Sequence, residues 1–469
     1  MIANKDHLED LFKRQQEFSH ELKNTTARER QEKLAKIEKV ILARKEEISR
    51  ALFMDFSKPV AETLISEVMA VLTEIRHTSK NLKSWMKPSY VKAPLTFKGT
   101  RSRVEYEPKG TVLIIAPFNY PFSLAIGPLV SAIAAGNTAI IKPSEFTMHT
   151  SDIIESIVGE IFEEEEVAVI KGEVETAKTL LNLPFNHIFF TGSPAVGKLV
   201  MKAAAEHLAE VTLELGGKSP AIIDETADIK ETAKRIVWGK CINGGQTCVA
   251  PDYVFIARNK RDAFTQAWKE AVAEMYGEKP QESVDLAAIV NTKHFERINN
   301  LIDDAKMQGA TIHSSGNPNI EKRKIAPTLI TDVPKTAKVL EEEIFGPVLP
   351  VLTYGALDEA IQFIRNKPKP LALYIYSKNS KQANWIISQT SAGTTAVNHN
   401  VLQFSHPHLP FGGVNNSGIG KAHGEYGFKA FSNERAVLEY TSPVNLLKIM
   451  FPPYDTKIDK ILNWMTKWA

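Results

Sequence analysis

Residues 1–53 place Leu34, Ile37, Ile41, Ile48 and Leu52 at near-helical spacing within long charged stretches, the pattern of helices that bury one stripe. A proline-bearing segment, KPSYVKAPLTFKG, leads into RSRVEYEP, which alternates with the period of a strand. Between 111 and 223 the period switches repeatedly. The β-type runs TVLIIA, TAIIK, VAVI, HIFF, VTLEL and AIID alternate with helical patterns, which predicts a parallel, doubly wound sheet. A second α/β stretch continues to about residue 400, followed by the glycine-rich loop LPFGGVNNSGIG and one more alternating run, ERAVLEY. RSRVEYEP and ERAVLEY are far apart in sequence, so they pair with each other or with a partner's sheet edge.

Residues 110–141 carry no charge and are long enough to span a bilayer. Prolines and glycines cut that stretch into a strand, a buried helix and a second strand, so a βαβ unit covered on both faces explains the missing charge. The chain of 469 residues is long enough for about three domains. Its 57 basic residues exceed its 55 acidic ones by only two, which gives no field for nucleic acid. Two cysteines cannot make a secreted disulfide framework, and MIANKDHLED lacks an apolar h-region, so a reducing, cytoplasmic setting is expected.

Four stretches carry candidate chemistry. In HIFFTGSPAVGKL a strand runs through glycines into a helix, and Gly192-x-x-x-x-Gly197-Lys198 follows most of a P-loop pattern. Leu199 then stands where magnesium binding needs Ser or Thr, which leaves a helix N-terminus suited to a pyrophosphate, or a plain turn. VTLELGGKSPAII buries Glu214 in an apolar strand, either as a general base or as an ion-pair partner of a lysine such as Lys218. KCINGGQTCVAPD holds both cysteines, Cys241 and Cys248, and its glycines leave room for a ligand beside the Cys248 amide. Neither this spacing nor the group His399, His406 and His408 offers a metal site. EEEIFGPVLP breaks a charged run with Ile, Phe and Gly-Pro, which by itself reads as an acidic face ending in a turn.

Taken in order, APFNYP, KPSE, FTGS, LELGGK, GQTC, EEIFGP and PFGG resemble the aldehyde dehydrogenase superfamily over most of the chain. The short N-terminal arm, GQTCVAPDYV and the His423-Gly424 pair with the later Phe431-Ser432 look closer to its class 3 branch, which acts on fatty and aromatic aldehydes. The resemblance implies a Rossmann-like cofactor domain, an α/β catalytic domain and a small β oligomerisation element. It divides the chain into residues 1–86 and 108–213 for cofactor binding, 214–402 for catalysis, 87–107 and 403–440 for bridging, and 441–469 as a tail. Asn415 replaces a usual glycine and is expected in the left-handed region, which asparagine tolerates.

The same resemblance implies that Cys248 is the nucleophile and Cys241 a bystander, that Asn119 and the Cys248 amide stabilise an oxyanion, and that Glu214 activates water. Lys142 and Glu145 would hold the adenosine ribose, Gly192 and Ser193 the pyrophosphate, Glu343 the nicotinamide ribose, and Phe345 would pack near the nicotinamide. The expected activity is oxidation of a medium- or long-chain aliphatic or an aromatic aldehyde to its carboxylate with NAD, or with NADP as the alternative, by a homodimer with no metal. Two other functions stay open: a coenzyme A-acylating enzyme, against which Glu214 argues, and a catalytically silent nucleotide-binding protein. In the tail, Ile458, Ile461, Leu462, Met465 and Trp468 share one helical face. Such a helix either packs on its own subunit, the favoured reading, or skirts the substrate entrance or touches lipid. Because a carboxylate at Glu145 repels a 2′-phosphate, kcat/KM should be higher with NAD than with NADP, and kinetics that clearly prefer NADP would contradict this role for Glu145.

Overall fold

The computed structural model describes residues 5–94, 97–441, 451–454 and 456–467. Among these, the strands form three sheets. The first runs Gly418–Ile419, Glu210–Leu215, His187–Gly192, Thr111–Ile115, Thr138–Lys142, Val167–Val169, parallel except for its first, two-residue member. Side-chain alternation sends Val112 and Ile114 to one face and Leu113 and Ile115 to the other, and both faces are covered. Helices Ala27–Phe56, Met69–Trp85, Ser123–Ala135 and Met148–Ile161 share the core of the first face, whereas Lys5–Leu22 and Pro194–Glu206 cover the second. Leu34, Ile37, Ile41, Ile48 and Leu52 are all buried, as their spacing predicts. The uncharged stretch is strand Thr111–Ile115, helix Ser123–Ala135 and strand Thr138–Lys142. No helix of the described residues is long and apolar enough to cross a membrane.

The second sheet runs Thr311–Ser314, Thr328–Thr331, Val348–Tyr354, Tyr253–Ala257, Pro220–Ile223, Ala372–Tyr376, Thr394–Val397, again parallel except for its first strand. The run AIID belongs here and not to the first sheet. Gly216 and Gly217 end the strand Glu210–Leu215, and the chain crosses to the second sheet within a few residues, which periodicity alone does not register. The third sheet pairs Thr100–Pro108 with Ser432–Tyr440, antiparallel from Thr100↔Tyr440 to Pro108↔Ser432, and Ser89–Val91 adds a short edge. The two isolated strands are therefore each other's partners, and Ser432–Tyr440 remains an edge, largely exposed.

In the tail, Thr456–Met465 is helical. Ile458 and Leu462 are partly buried, while Ile461 and Trp464 are exposed; Trp468 lies outside the described residues.

A buried ion pair ties the helical region to the start of Ser123–Ala135. Lys58 and Glu67 are both inaccessible, with Nζ and Oε1 2.9 Å apart, and the other Glu67 oxygen accepts the Ser123 N–H at 2.8 Å. Lys58 Nζ also lies 4.1 Å from the Tyr120 ring centroid. Removing one partner of such a pair leaves an uncompensated buried charge. Lys58→Met should therefore lower the unfolding free energy by about 3–5 kcal/mol in chemical denaturation, and an unchanged midpoint would contradict this account of the pair.

Candidate active site

Cys248 is delivered by a turn of unusual backbone. Helix Ile229–Cys241 ends, and Asn243, Gly244 and Gly245 then take φ of 58°, 63° and 78° in succession. This left-handed region is costly for most residues, and asparagine and glycine are the types that enter it readily. Gly245 has a second reason to lack a side chain: a Cβ there would lie 2.3 Å from the Gly346 carbonyl carbon. The cysteine loop and the EEIFGP loop thus pack backbone against backbone. Gln246 locks the turn from within, donating to the carbonyls of Asn243 and Ala288 and accepting from the Val290 N–H.

The same turn holds Asn119. The Asn119 amide donates to the Gln246 carbonyl at 3.0 Å, and Asn243 Nδ2 donates to the Asn119 carbonyl at 2.8 Å and to the Gln246 carbonyl at 3.2 Å. Next door, Tyr120 and Thr247 share a hydroxyl–hydroxyl bond of 2.7 Å. Cys248 and the Asn119 loop are therefore knitted together by several bonds. A primary amide has two N–H groups, so the one not given to Gln246 is free for an oxyanion.

Glu214 lies in Glu210–Leu215 on the face opposite Leu213 and Leu215, between Thr191 of one neighbouring strand and Gly418 of the other. Neither carboxyl oxygen makes a hydrogen bond to the protein. The sequence left an ion pair with Lys218 open, but Lys218 instead pairs with Asp252 at 2.6 Å and donates to the Val339 and Glu342 carbonyls. The two glycines after Leu215 carry Lys218 into the second sheet's side of the molecule. Burial pushes the Glu214 carboxyl well above the usual range, and Lys421 only partly pulls it back. Lys421 itself is held by the Gly412 and Gly413 carbonyls of the PFGG loop.

A single cavity is lined by Cys248, Glu214, Thr247, Tyr120 and, for most of its wall, by apolar side chains such as Ile65, Val71, Leu124, Trp238, Phe404 and Phe411. Burial, together with the Glu343 and Glu214 carboxyls, pushes the Cys248 thiol up to about 12, against the N–H groups of Cys248 and Val249 that favour the thiolate. Cys241 is wholly buried in a hydrophobic cluster, and burial raises its thiol as well. Among the described residues no cluster of His, Cys, Asp or Glu has the arrangement of a metal site.

The remaining predicted residues line two further features. Lys142, buried at the end of its strand, lies 3.1 Å from Glu145 and donates to the Pro143 carbonyl. Ser193 caps helix Pro194–Glu206 by accepting the Val196 N–H, directly after Gly192. Glu343 lies so close to Gly216 that a Cβ there would be 2.1 Å from its Oε2, and it accepts the Gly217 N–H. Burial, with Asp252 nearby, pushes the Glu343 carboxyl up to about 8. Phe345, at φ 50°, meets Phe118 edge-on at 5.7 Å, and Phe118 also contacts Phe146 and His294. Carboxylates able to bind ribose hydroxyls, a helix N-terminus and aromatic rings form a donor set that fits a nicotinamide dinucleotide.

Sequence reasoning missed several members. Asp252 binds Lys218, Lys240 and the Ile344 N–H, and so fixes the loop that carries Glu343. It sits in the quoted cysteine stretch, and its place after Pro251 was the only signal. His294, Glu62 and Glu67 lie in ordinary charged helical patterns that carry no signal at all.

A doubly wound sheet that carries a capped helix N-terminus, with a cavity lined by a thiol and a buried carboxyl, fits the class of dehydrogenases that act on carbonyl compounds with a nicotinamide cofactor. The chain belongs to the aldehyde dehydrogenase family, which it matches over residues 2–437. It is 44% identical over 432 residues to the 4,4'-diaponeurosporen-aldehyde dehydrogenase of Staphylococcus aureus, covering 92% of this chain and 93% of that one. It is 39% identical to aldehyde dehydrogenase family 3 member B3 of Mus musculus, over 98% of this chain and 95% of that protein, which places it near the class 3 branch. The solved substrate-bound state of Staphylococcus aureus AldH superposes with a TM-score of 0.93 at 42% identity, covering 97% and 99% of the two chains. The protein is an oxidoreductase that acts on aldehydes with NAD or NADP.

With its thiol pushed up to about 12, Cys248 is neutral below that pH and its thiolate fraction climbs throughout the ordinary range. Its alkylation by iodoacetamide in the free enzyme should rise about tenfold per pH unit from pH 7 to 9, while buried Cys241 stays unlabelled. A plateau within that window would contradict the assigned environment.

Proposed function

We propose that Cys248 is the nucleophile that oxidises an apolar aldehyde, medium- or long-chain or aromatic, to its carboxylate. The observation that carries this reading is the shared, largely apolar cavity that holds both the Cys248 thiol and the Glu214 carboxyl. Cys248 Sγ, once its proton has left, adds to the aldehyde carbon and makes a tetrahedral thiohemiacetal. The free N–H of the Asn119 amide and the Cys248 N–H hold the oxygen that becomes negative. A nicotinamide held in this site would supply the hydride-accepting, two-electron oxidation of that carbon. The thiohemiacetal thereby becomes a Cys248 thioester. Glu214 then takes a proton from water, whose oxygen attacks the thioester carbon. The C–S bond breaks, and carboxylate and the Cys248 thiol are released. A base held above its usual range must ionise first, so hydrolysis speeds up as pH rises.

Of the cofactor, Lys142 and Glu145 would hold the adenosine ribose, Gly192 and Ser193 the pyrophosphate, and Glu343 the nicotinamide ribose, and Phe345 would pack near the nicotinamide. The carboxylate of Glu145, already paired with Lys142, supports a preference for NAD. Residues 1–86 and 108–213 act as the cofactor domain, 214–402 as the catalytic domain, and 87–107 with 403–440 as the bridging element of a homodimer. The largely exposed strand Ser432–Tyr440, at the margin of its sheet among the described residues, supports that last assignment, since such a margin can take a partner strand. A cytoplasmic site suits a free nucleophilic thiol. The tail helix, with Ile461 and Trp464 exposed, leaves contact with a lipid surface as a secondary role.

Glu214→Gln should release about one equivalent of reduced cofactor in a burst and then slow by roughly 10²–10⁴, because the thioester forms but water is not activated. Turnover at the unmodified rate would sink the assignment of Glu214. In a panel of aldehydes, kcat/KM should rise with apolar surface, and product should form without coenzyme A.

A further inference from the structure

Two carboxyls five residues apart each take one backbone N–H from one of the two loops that meet at the site. Glu62 accepts from Asn243 in the cysteine loop at 3.0 Å, and Glu67 accepts from Ser123, just after the Asn119 loop, at 2.8 Å. Lys58 joins them, paired with Glu67 and attracting Glu62, with its Nζ on the Tyr120 ring. In a regular α-helix, side chains five residues apart point about 140° away from each other. Here the segment Leu64–Val68 is π-helical, and its i→i+5 bonding widens the turn so that both carboxyls face inward. Such turns recur at functional sites.

We propose that residues 58–67 brace the two catalytic loops, with Glu62 as the positioning residue that fixes Asn243 and, through it, Asn119. The chain of bonds is continuous: Glu62 to the Asn243 N–H, the Asn243 amide to the Asn119 and Gln246 carbonyls, and the Asn119 amide to the Gln246 carbonyl. Asn243 enters a left-handed backbone at φ 58° inside a fully buried turn, so its orientation depends on the groups that hold it. Burial pushes the Glu62 carboxyl up to about 7, against the pull of Lys58 and the Asn243 N–H. Both protonation states keep an oxygen that accepts the bond, so glutamine is its conservative stand-in. A loosened Asn243 lets the Asn119 amide drift from the oxyanion without touching the apolar wall that binds substrate. The proposal rests on the reading of Asn119 and Cys248 given above.

The test measures kcat, aldehyde KM and the denaturation midpoint for Glu62→Leu, Glu62→Ala, Glu62→Gln, Asn243→Gly and Asn119→Ala. Glu62→Leu should lower kcat and kcat/KM together by about ten- to a hundredfold with KM unchanged, as misplacing an oxyanion donor does. Glu62→Gln should recover most of that loss. Asn243→Gly keeps the left-handed backbone and the N–H that Glu62 accepts and removes only the side-chain tie, so it should show the same kcat loss and tests the link from Asn243 to Asn119; the smaller Glu62→Ala decides the role of Glu62 should Glu62→Leu fail to fold. Glu62→Leu or Asn243→Gly with kcat within about twofold of the unmodified enzyme, while Asn119→Ala loses about a hundredfold, overturns the brace alone. Glu62→Gln as slow as Glu62→Leu also overturns it, since the accepted bond would then not be what matters. Asn119→Ala at full kcat overturns the underlying reading of the site.

Discussion

The left-handed turn at Asn243–Gly245 is the constraint on which the rest of the site depends. It allows the chain to leave a buried helix, press its backbone against Gly346 and return with Cys248 beside the cavity. A side chain at Gly245 would push the EEIFGP loop away, and Glu343 with it. The turn is tied on every side, by Gln246 to Ala288 and Val290 and by Asn243 to Asn119. Strain of this kind persists only where the surroundings over-determine it.

Burial of ionisable groups is the second organising fact. Cys248, Glu214 and Glu343 all sit where the charged form is disfavoured, so each is biased to its neutral state. This arrangement separates two chemical tasks. Glu214, with no hydrogen-bond partner in the protein, can take a proton only once it has ionised, and while neutral it adds no fixed anion beside Cys248. The fixed charges are displaced one layer outward, where Asp252 is neutralised by Lys218 and Lys240 and Glu67 by Lys58. Low-dielectric surroundings strengthen these pairs and make the loops they anchor hard to move.

The two sheets divide the labour. The first carries Glu214 and leads into the helix cap at Ser193, and the second is entered just after Cys248 and, through Asp252, holds the loop of Glu343. The short strand Gly418–Ile419 stitches the PFGG loop onto the edge of the first sheet, which places Lys421 near Glu214. Three segments remote in sequence therefore meet at one carboxyl.

The sequence by itself determined the doubly wound class, the helical stripes and the family, because periodicity and the spaced motifs are local properties that survive without coordinates. Leu34 to Leu52, the βαβ unit of residues 110–141 and the left-handed Asn415 at φ 54° were legible for that reason. Only the tertiary structure decided partners. It moved AIID into the second sheet, gave Lys218 to Asp252 instead of Glu214, and paired Thr100–Pro108 with Ser432–Tyr440. It also brought Glu62 to the backbone of Asn243 and Glu67 to that of Ser123. Pairings of that kind depend on which distant groups share a low-dielectric space, and residue order along the chain carries no record of it.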